Sequence, residues 1–200
     1  MRPDSGQRRL AEPVGTDIMP ARRFVMTSKQ FYDWQTVGGT GDVMRLIMVL
    51  EKLDLPWCMI GGLAVNHWAA EPMVTQDVDI VIALDQVEAA VKALEDAGFI
   101  SKRFAWSINL TGESKVSVQI STEEMYREFP SRSIPADIHG ILMRVASLED
   151  TLAGKLSAYA DAQRRASKRQ KDLADIARLL ESHPSLQSRI PAEILARING

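Results

Sequence analysis

Asp77 and Asp79 are the side chains of this sequence best placed to do chemistry. In Asp77-Val78-Asp79-Ile80-Val81 the alternation with β-branched residues reads as a strand over 77–83. Side chains alternate across a strand, so both carboxylates project from one face while Val78, Ile80 and Ile82 project from the other. Like charges side by side cost stability unless a cation or strong donors compensate, and hard oxygen ligands paired in this way suit Mg2+ or Mn2+. Upstream, Gly61 and Gly62 break an apolar strand at 57–60 and precede a helix read from Leu63 to Ala70. Such glycines let backbone N–H groups approach a ligand closely, and the positive end of the helix favours phosphate. A phosphate cradle beside a metal pair is what phosphoryl-type transfer requires. Each half alone is unspecific, and the bland alternative is a tight turn followed by a strand with two solvated aspartates.

Positive charge is concentrated further along. Lys155 flanks the apolar stripe Leu152/Leu156 and can reach inward toward phosphate. Arg164, Arg165, Lys168, Arg169 and Lys171 follow with no intervening acid, and the last three are read in the first turn of a helix. Cations there oppose the macrodipole by roughly 0.3–1 kcal/mol each, a cost that a bound triphosphate or RNA backbone reverses. The alternative is a solvated patch partly paired with Asp172 and Asp175 at i,i+4.

The elements that must position these groups can be read from periodicity. Val43, Leu46, Ile47, Leu50 and Leu53 mark a helix over 41–53. Asp85 reads as the cap of a helix that runs to Ala97 and closes at Gly98, with strands following at 99–104, 106–110 and 115–121. Further strands at 136–138 and 141–145 flank a turn at His139-Gly140. Ser147 caps a helix, Ser167 and Gln170 form the capping box of a second, and Pro191 opens a last short one. Strands first and helices last make the chain α+β, with a mixed sheet, flanking helices and a C-terminal helical segment. The division expected is an extension at 1–27, an α/β core at 28–146 and a helical segment at 147–200 packed on it.

Composition narrows the class. With 200 residues, 46% hydrophobic and 25% charged, the chain can bury one core and a small second lobe. A net charge of -2 demands neither nucleic acid nor an anionic membrane, so any pull on polyanions is local. The single cysteine, Cys58, excludes an internal disulfide and reads as a buried strand residue. No apolar run approaches the roughly 20 residues of a membrane span, which makes a cytoplasmic protein with no membrane partner the expectation. Arginines and prolines in 1–27 read as a solvated basic arm. The glycine-rich 38–41 reads as a linker, His67 as packed or solvated, and Trp57, Trp68 and Trp106 as core.

Ile60-Gly61-Gly62-Leu63-Ala64-Val65-Asn66 with Asp77-Val78-Asp79-Ile80 resembles the signature of the DNA polymerase β nucleotidyltransferase superfamily. It is most similar to a minimal bacterial branch that includes the AbiEii-type toxins of type IV toxin–antitoxin systems. The resemblance spans about 50–180 and adds Gly154-Lys155-Leu156 and the stretch from Ser167 to Asp175. It implies that Asp77 and Asp79 bind Mg2+ (or Mn2+), that Gly61 and Gly62 hold an NTP by backbone contacts, and that Lys155, Lys168 and Lys171 neutralise phosphate charge. It also implies transfer of NMP to a hydroxyl, on RNA such as tRNA or on a protein side chain, and a cognate antitoxin. The superfamily carries a third carboxylate on a later strand, where Lys115, Ser117, Gln119 and Ser121 form the polar face here. Gln119 can orient water or metal in its place, and Glu123, Glu124 and Asp137 are the acids near enough in sequence to substitute. Two other classes stay open: a catalytically silent NTP- or RNA-binding module, and an enzyme with a small acceptor such as an aminoglycoside.

Overall fold

The protein is described by a computed structural model that covers residues 39–75, 77–138 and 141–200. The expected extension at 1–27 with its basic arm, and the His139-Gly140 turn, lie outside the described residues. Helix α1 (Thr40–Lys52) buries Val43, Leu46, Ile47 and Leu50 of the predicted stripe, while Leu53 falls at the C-cap and is exposed. Strand β1 (Trp57–Met59) leads into α2 (Gly61–Trp68), so the glycines are the first helical residues and not a separate turn before the helix. Strand β2 (Asp77–Ile82) follows, then α3 (Val87–Asp96), β3 (Ile100–Arg103), β4 (Ser107–Thr111) and β5 (Ser117–Ser121). A short α4 (Phe129–Arg132) precedes the hairpin of β6 (Ile134–Ile138) and β7 (Ile141–Val145). The chain then becomes helical in α5 (Leu148–Ala160), α6 (Ala166–Ser182) and α7 (Ala192–Asn199).

The strands form one mixed sheet in the order β3-β4-β5-β2-β1-β7-β6. β2 runs parallel to β5 and antiparallel to β1, which itself runs parallel to β7. One face packs on α1 and α3: Trp57, Met59, Val78, Ile80, Ile82, Val118 and Ile120 are buried there with Leu46, Leu50, Val91 and Leu94. On the other face Cys58, Ile60 and Val81 pack with Tyr126 and Phe129 at α4. A further apolar cluster joins Val65 and Ala69 of α2 to Leu152, Ile176, Leu179 and Ile194 of the C-terminal helices. The alternation of β2 is therefore kept: its apolar set serves the main core, and Asp77 and Asp79 share the side of Val81. The strand that pairs with β2 is steadied from α1, where buried Asp42 accepts hydrogen bonds from the backbone N–H of Glu113 (3.2 Å) and Ser114 (2.8 Å) in the β4–β5 turn.

Several local readings are corrected. Asp85 does not cap α3, because a 3-10 turn at Leu84–Gln86 feeds the helix and no side chain caps it. Gly98 does close that helix, with φ +94 and its N–H bonded to the Glu95 carbonyl. Ser147 caps α5 by accepting from Asp150 N at 3.1 Å. Ser167 makes no capping box, because α6 starts at Ala166 with Arg165 at its N-cap, which puts Ser167 inside the first turn. Lys171 consequently falls in the second turn of α6. Trp106 is not core: it is 67% exposed at the tip of the β3–β4 hairpin, where the Phe104 N–H to Ser107 carbonyl bond turns the chain beyond the sheet. Among the described residues no helix is long and apolar enough to cross a membrane.

Candidate active site

Asp77 and Asp79 sit on the face of β2 that α6 approaches, and the parallel pairing with β5 sets Asp77 beside Ser117 and Asp79 beside Gln119. Residues in register point to the same side, so Gln119 occupies the place beside the acid pair that the sequence reading assigns to a third carboxylate. The same row continues to Asn109 on β4 and Lys102 on β3. Gly61 closes on this pair from β1. Its φ of +65 lies in the left-handed region, and a Cβ built on it would stand 2.1 Å from Asp79 Oδ2. The Ile60 N–H donates to the Asp79 carbonyl at 2.8 Å, which fixes the bend against the strand. Gly61→Ala is therefore expected to cost about 1–2 kcal/mol from backbone strain alone, and more from displacement of Asp79. A urea midpoint unchanged from wild type would contradict this.

Lys171 and Lys168 reach the site from α6. A Cβ at Gly62 would lie 3.6 Å from Lys171 Nζ, and Lys168 Nζ is 3.3 Å from Asp77 Oδ2. The local i,i+4 pairing that stood as the alternative for this stretch is replaced, for Lys168, by a contact to a residue 91 positions away. Burial pushes the Asp79 carboxyl above its ordinary value and Asp77 acts in the same direction, against the pull of Lys155, Lys171 and Lys168. The two acids and the two lysines thus meet at the glycine bend, Lys168 against Asp77 and Lys171 beside Gly62.

Lys155 is brought to the same region but is committed. Its Nζ lies 2.7 Å from Asp175 and 3.2 Å from Asp172, both 1% exposed. Burial alone works against its charge, and the two carboxylates outweigh this and hold the ammonium above its ordinary value. Arg164 pairs with Asp172 at 2.6 Å and Arg178 with Asp175 at 3.0 Å. Arg178 also donates to Asn66 Oδ1 at 2.9 Å, and Asn66 binds both backbone polar groups of Met73 in the segment leading to β2. Asp172 and Asp175 are thus buried members of an ion network rather than surface partners of the basic stretch. The signal for this was present: with Ile176 and Leu179 they lie on the buried stripe of α6, and acids on such a stripe need cations.

Beside Asp79 opens a cavity of about 210 Å3 lined by Gln119, Glu123, Tyr126, Asp161 and Arg164. Burial, then Asp161, pushes the Glu123 carboxyl up, and Arg164 opposes them. Of the acids named as substitutes for the third carboxylate, only Glu123 reaches this cavity. Glu124 is exposed and pairs with Arg127, and Asp137 lies on the edge strand β6. Among the described residues no group of at least three His, Cys, Asp or Glu side chains is gathered to hold a metal. The residues that could hold a cation are Asp77 and Asp79, with Gln119 in register beside Asp79. Cys58 is buried, and burial raises its thiol to about 12, so it stays a packed thiol. His67 is half-buried and packs edge-on against Trp68; burial lowers its pKa. Trp57 is core, and half-buried Trp68 donates to the Ala146 carbonyl at 3.0 Å.

The profile of the family described as "Nucleotidyl transferase AbiEii toxin, Type IV TA system" matches residues 43–199. Comparison with curated proteins gives no match. Among solved structures the chain is similar to ANT(2″)-Ia in complex with adenylyl-2″-tobramycin, at TM-score 0.54 and 13% identity over 80% of this chain and 95% of that one. It is also similar to an H. pylori protein described as a nucleotidyltransferase, at TM-score 0.52 and 18% identity over 82% and 74%. The lincosamide antibiotic adenylyltransferase LnuA, solved with lincomycin, matches at TM-score 0.50 and 12% identity over 70% and 97%. At these identities the likeness shows the fold, which is that of nucleotidyltransferases. The family match covers well over half of the chain, and the chain therefore belongs to the AbiEii nucleotidyl transferase toxin family and is a nucleotidyltransferase.

Proposed function

We propose that this enzyme transfers a nucleoside monophosphate from an NTP to a hydroxyl acceptor, with a divalent cation held by Asp77 and Asp79. The observation that carries the reading is the meeting of the acid pair, the Gly61 bend and the lysines of α6 at one point. The residues present fit Mg2+ or Mn2+: hard carboxylates share one strand face, Asp79 is penalised by burial, and Mg2+ takes one or two carboxylates together with substrate phosphates. When bound, such an ion neutralises the charge that develops on the phosphates. Backbone N–H groups at Gly61 and Gly62 cradle the triphosphate, and Lys171, poised over Gly62, supplies charge to it. Lys168 leaves Asp77 to do the same when the nucleotide enters. Lys155, held by Asp172 and Asp175, acts on Asp79 through its field and not by contact with phosphate. Gln119, in register with Asp79, would orient a water or the cation held there.

The acceptor in this reading is RNA, tRNA included, and a cognate antitoxin is the partner; the description of the family as the toxin of a type IV system supports both. Function in the cytoplasm follows from the same reading. A second acceptor class is favoured by one observation. Lys155 and Arg164 are both engaged with buried acids, which leaves Glu123 and Asp161 to make the cavity electronegative. That character suits a cationic small molecule such as an aminoglycoside. Incubation of the protein with α-labelled NTPs, Mg2+ and either total RNA or an aminoglycoside separates the two. Label is expected in RNA for wild type and not for Asp77→Ala. Label only in the aminoglycoside would move the acceptor, and NTP binding without any transfer would mean a silent binding module.

A further inference from the structure

Among the described residues Lys168 is the one cation in salt-bridge contact with the acid pair, its Nζ 3.3 Å from Asp77 Oδ2. The contact ties the first turn of α6 to β2. We infer that this ion pair is a gate: Lys168 keeps the Asp77 carboxylate from divalent cations until the phosphates of a nucleotide draw the lysine away, so that metal binding depends on nucleotide. The inference rests on the nucleotidyltransferase reading and deepens it, by making Lys168 a positioning residue for the metal ligands.

The neighbouring cations are committed elsewhere. Arg164 pairs with Asp172 at 2.6 Å, and Arg169 donates to the Tyr159 carbonyl at 2.9 Å while its guanidinium lies 5.3 Å over the Tyr159 ring. Lys171 lies against Gly62 at the start of α2, and Lys155 is fixed between Asp172 and Asp175. Ion pairs of two kinds therefore meet on α6. Those of Lys155 are sealed, with the lysine side chain 9% exposed and its partners 1%. The Lys168–Asp77 pair is open to water, its side chains 39% and 42% exposed. A pair that open is held weakly and exchanges partners, whereas a sealed pair broken on one side strands a buried charge. Position adds to the difference. In the first turn of α6 a lysine opposes the positive end of the helix, so it gains from an anion brought to it. A polyphosphate carries more charge than one carboxylate and is the stronger anion for both the lysine and the helix end.

An ammonium and a divalent cation on the same carboxylate are like charges at close range, so each disfavours the other. The apparent affinity for the divalent cation is then its intrinsic affinity scaled by the fraction of molecules in which Asp77 is free. When Lys168 turns to phosphate that fraction approaches one. Linkage makes the effect reciprocal, and the cation tightens nucleotide binding by the same factor.

The test reads Mn2+ binding to the full chain without nucleotide, from the electron paramagnetic resonance signal of the free ion. Lys168→Met is expected to bind Mn2+ about 5-fold more tightly than wild type, a gain that structural damage would not produce. Lys168→Arg keeps a cation on Asp77 and is expected to stay near wild type. Lys171→Met removes the same charge without touching Asp77 and is expected to gain less than Lys168→Met. Calorimetry with each of the four NTPs, in EDTA and in saturating Mn2+, gives the coupling between metal and nucleotide, which is expected to be larger in wild type than in Lys168→Met. Equal Mn2+ affinity of wild type and Lys168→Met, or equal gains in Lys168→Met and Lys171→Met, overturns the gate and leaves the nucleotidyltransferase reading intact. Wild type that binds neither Mn2+ nor any NTP, alone or together, overturns both.

Discussion

Asp79→Asn is expected to reduce nucleotidyl transfer by about 10³-fold or more, equivalent to about 4 kcal/mol of transition-state stabilisation, without loss of stability at neutral pH. The reason lies in how the carboxylate is held. Burial and the neighbouring Asp77 carboxylate both oppose its charge, and Lys155, Lys171 and Lys168 compensate only in part, since its carboxyl is raised. An acid whose folded pKa is raised contributes stability that is fully present below its ordinary value of 3.8 and lost as pH rises through the folded pKa. Once ionised, above its folded pKa, Asp79 is therefore a net burden on the fold, and the neutral isostere removes it. The variant should show a urea midpoint equal to or above wild type at pH 7, with any gain disappearing as pH falls toward 3.8. Such a trade of stability for activity marks a functional site. A destabilised Asp79→Asn that still transfers at the wild-type rate would remove Asp79 from the proposed machinery.

Lys155→Met carries the largest expected effect on stability, a loss of about 3 kcal/mol. Methionine keeps the volume of the stem but leaves two buried carboxylates facing one another without the cation between them. The loss falls at the lower end for a broken buried pair because Arg164 still reaches Asp172 and Arg178 still reaches Asp175. The linkage has the same sign at the other end of the pH scale. A lysine whose folded pKa is raised contributes stability that is complete below its ordinary value of 10.5 and lost as pH climbs through the folded pKa. The difference between wild type and Lys155→Met in urea should therefore hold constant from pH 6 to about 9 and shrink only in strong alkali. Equal midpoints at pH 7 would show that the network adds nothing to the fold and that Lys155 is free for the nucleotide.

Both variants bear on how far the site could be read before the fold was known. Asp77 and Asp79 were legible because a strand alternates with period two, and their common face needs only five consecutive residues. The glycine bend was legible for a similar reason, although its merging with the first turn of α2 was not. Lys168 and Lys171 were found as a basic run, but not their partners: local spacing offered Asp172 and Asp175 as the alternative to a bound anion, whereas Lys168 turns to Asp77. Trp106 was misread because its apolar character says nothing about whether a hairpin ends before or after it. Glu123 was one of several nearby acids, and nothing in its own neighbourhood set it apart from Glu124.

By itself the sequence determined what short-range geometry controls: two carboxylates on one side of β2, a glycine bend between an apolar strand and a helix, and a C-terminal run of amphipathic helices. Only the tertiary structure decided which charge meets which. The α2–α6 packing brings lysines to the acids of β2, the parallel β2–β5 register puts an amide where an acid is expected, and the turn after β5 carries Glu123 to the cavity. The division has a physical cause. Periodicity fixes the face of an element within a few residues, but an ion pair depends on how elements far apart in the chain close against one another, and no local pattern records that distance.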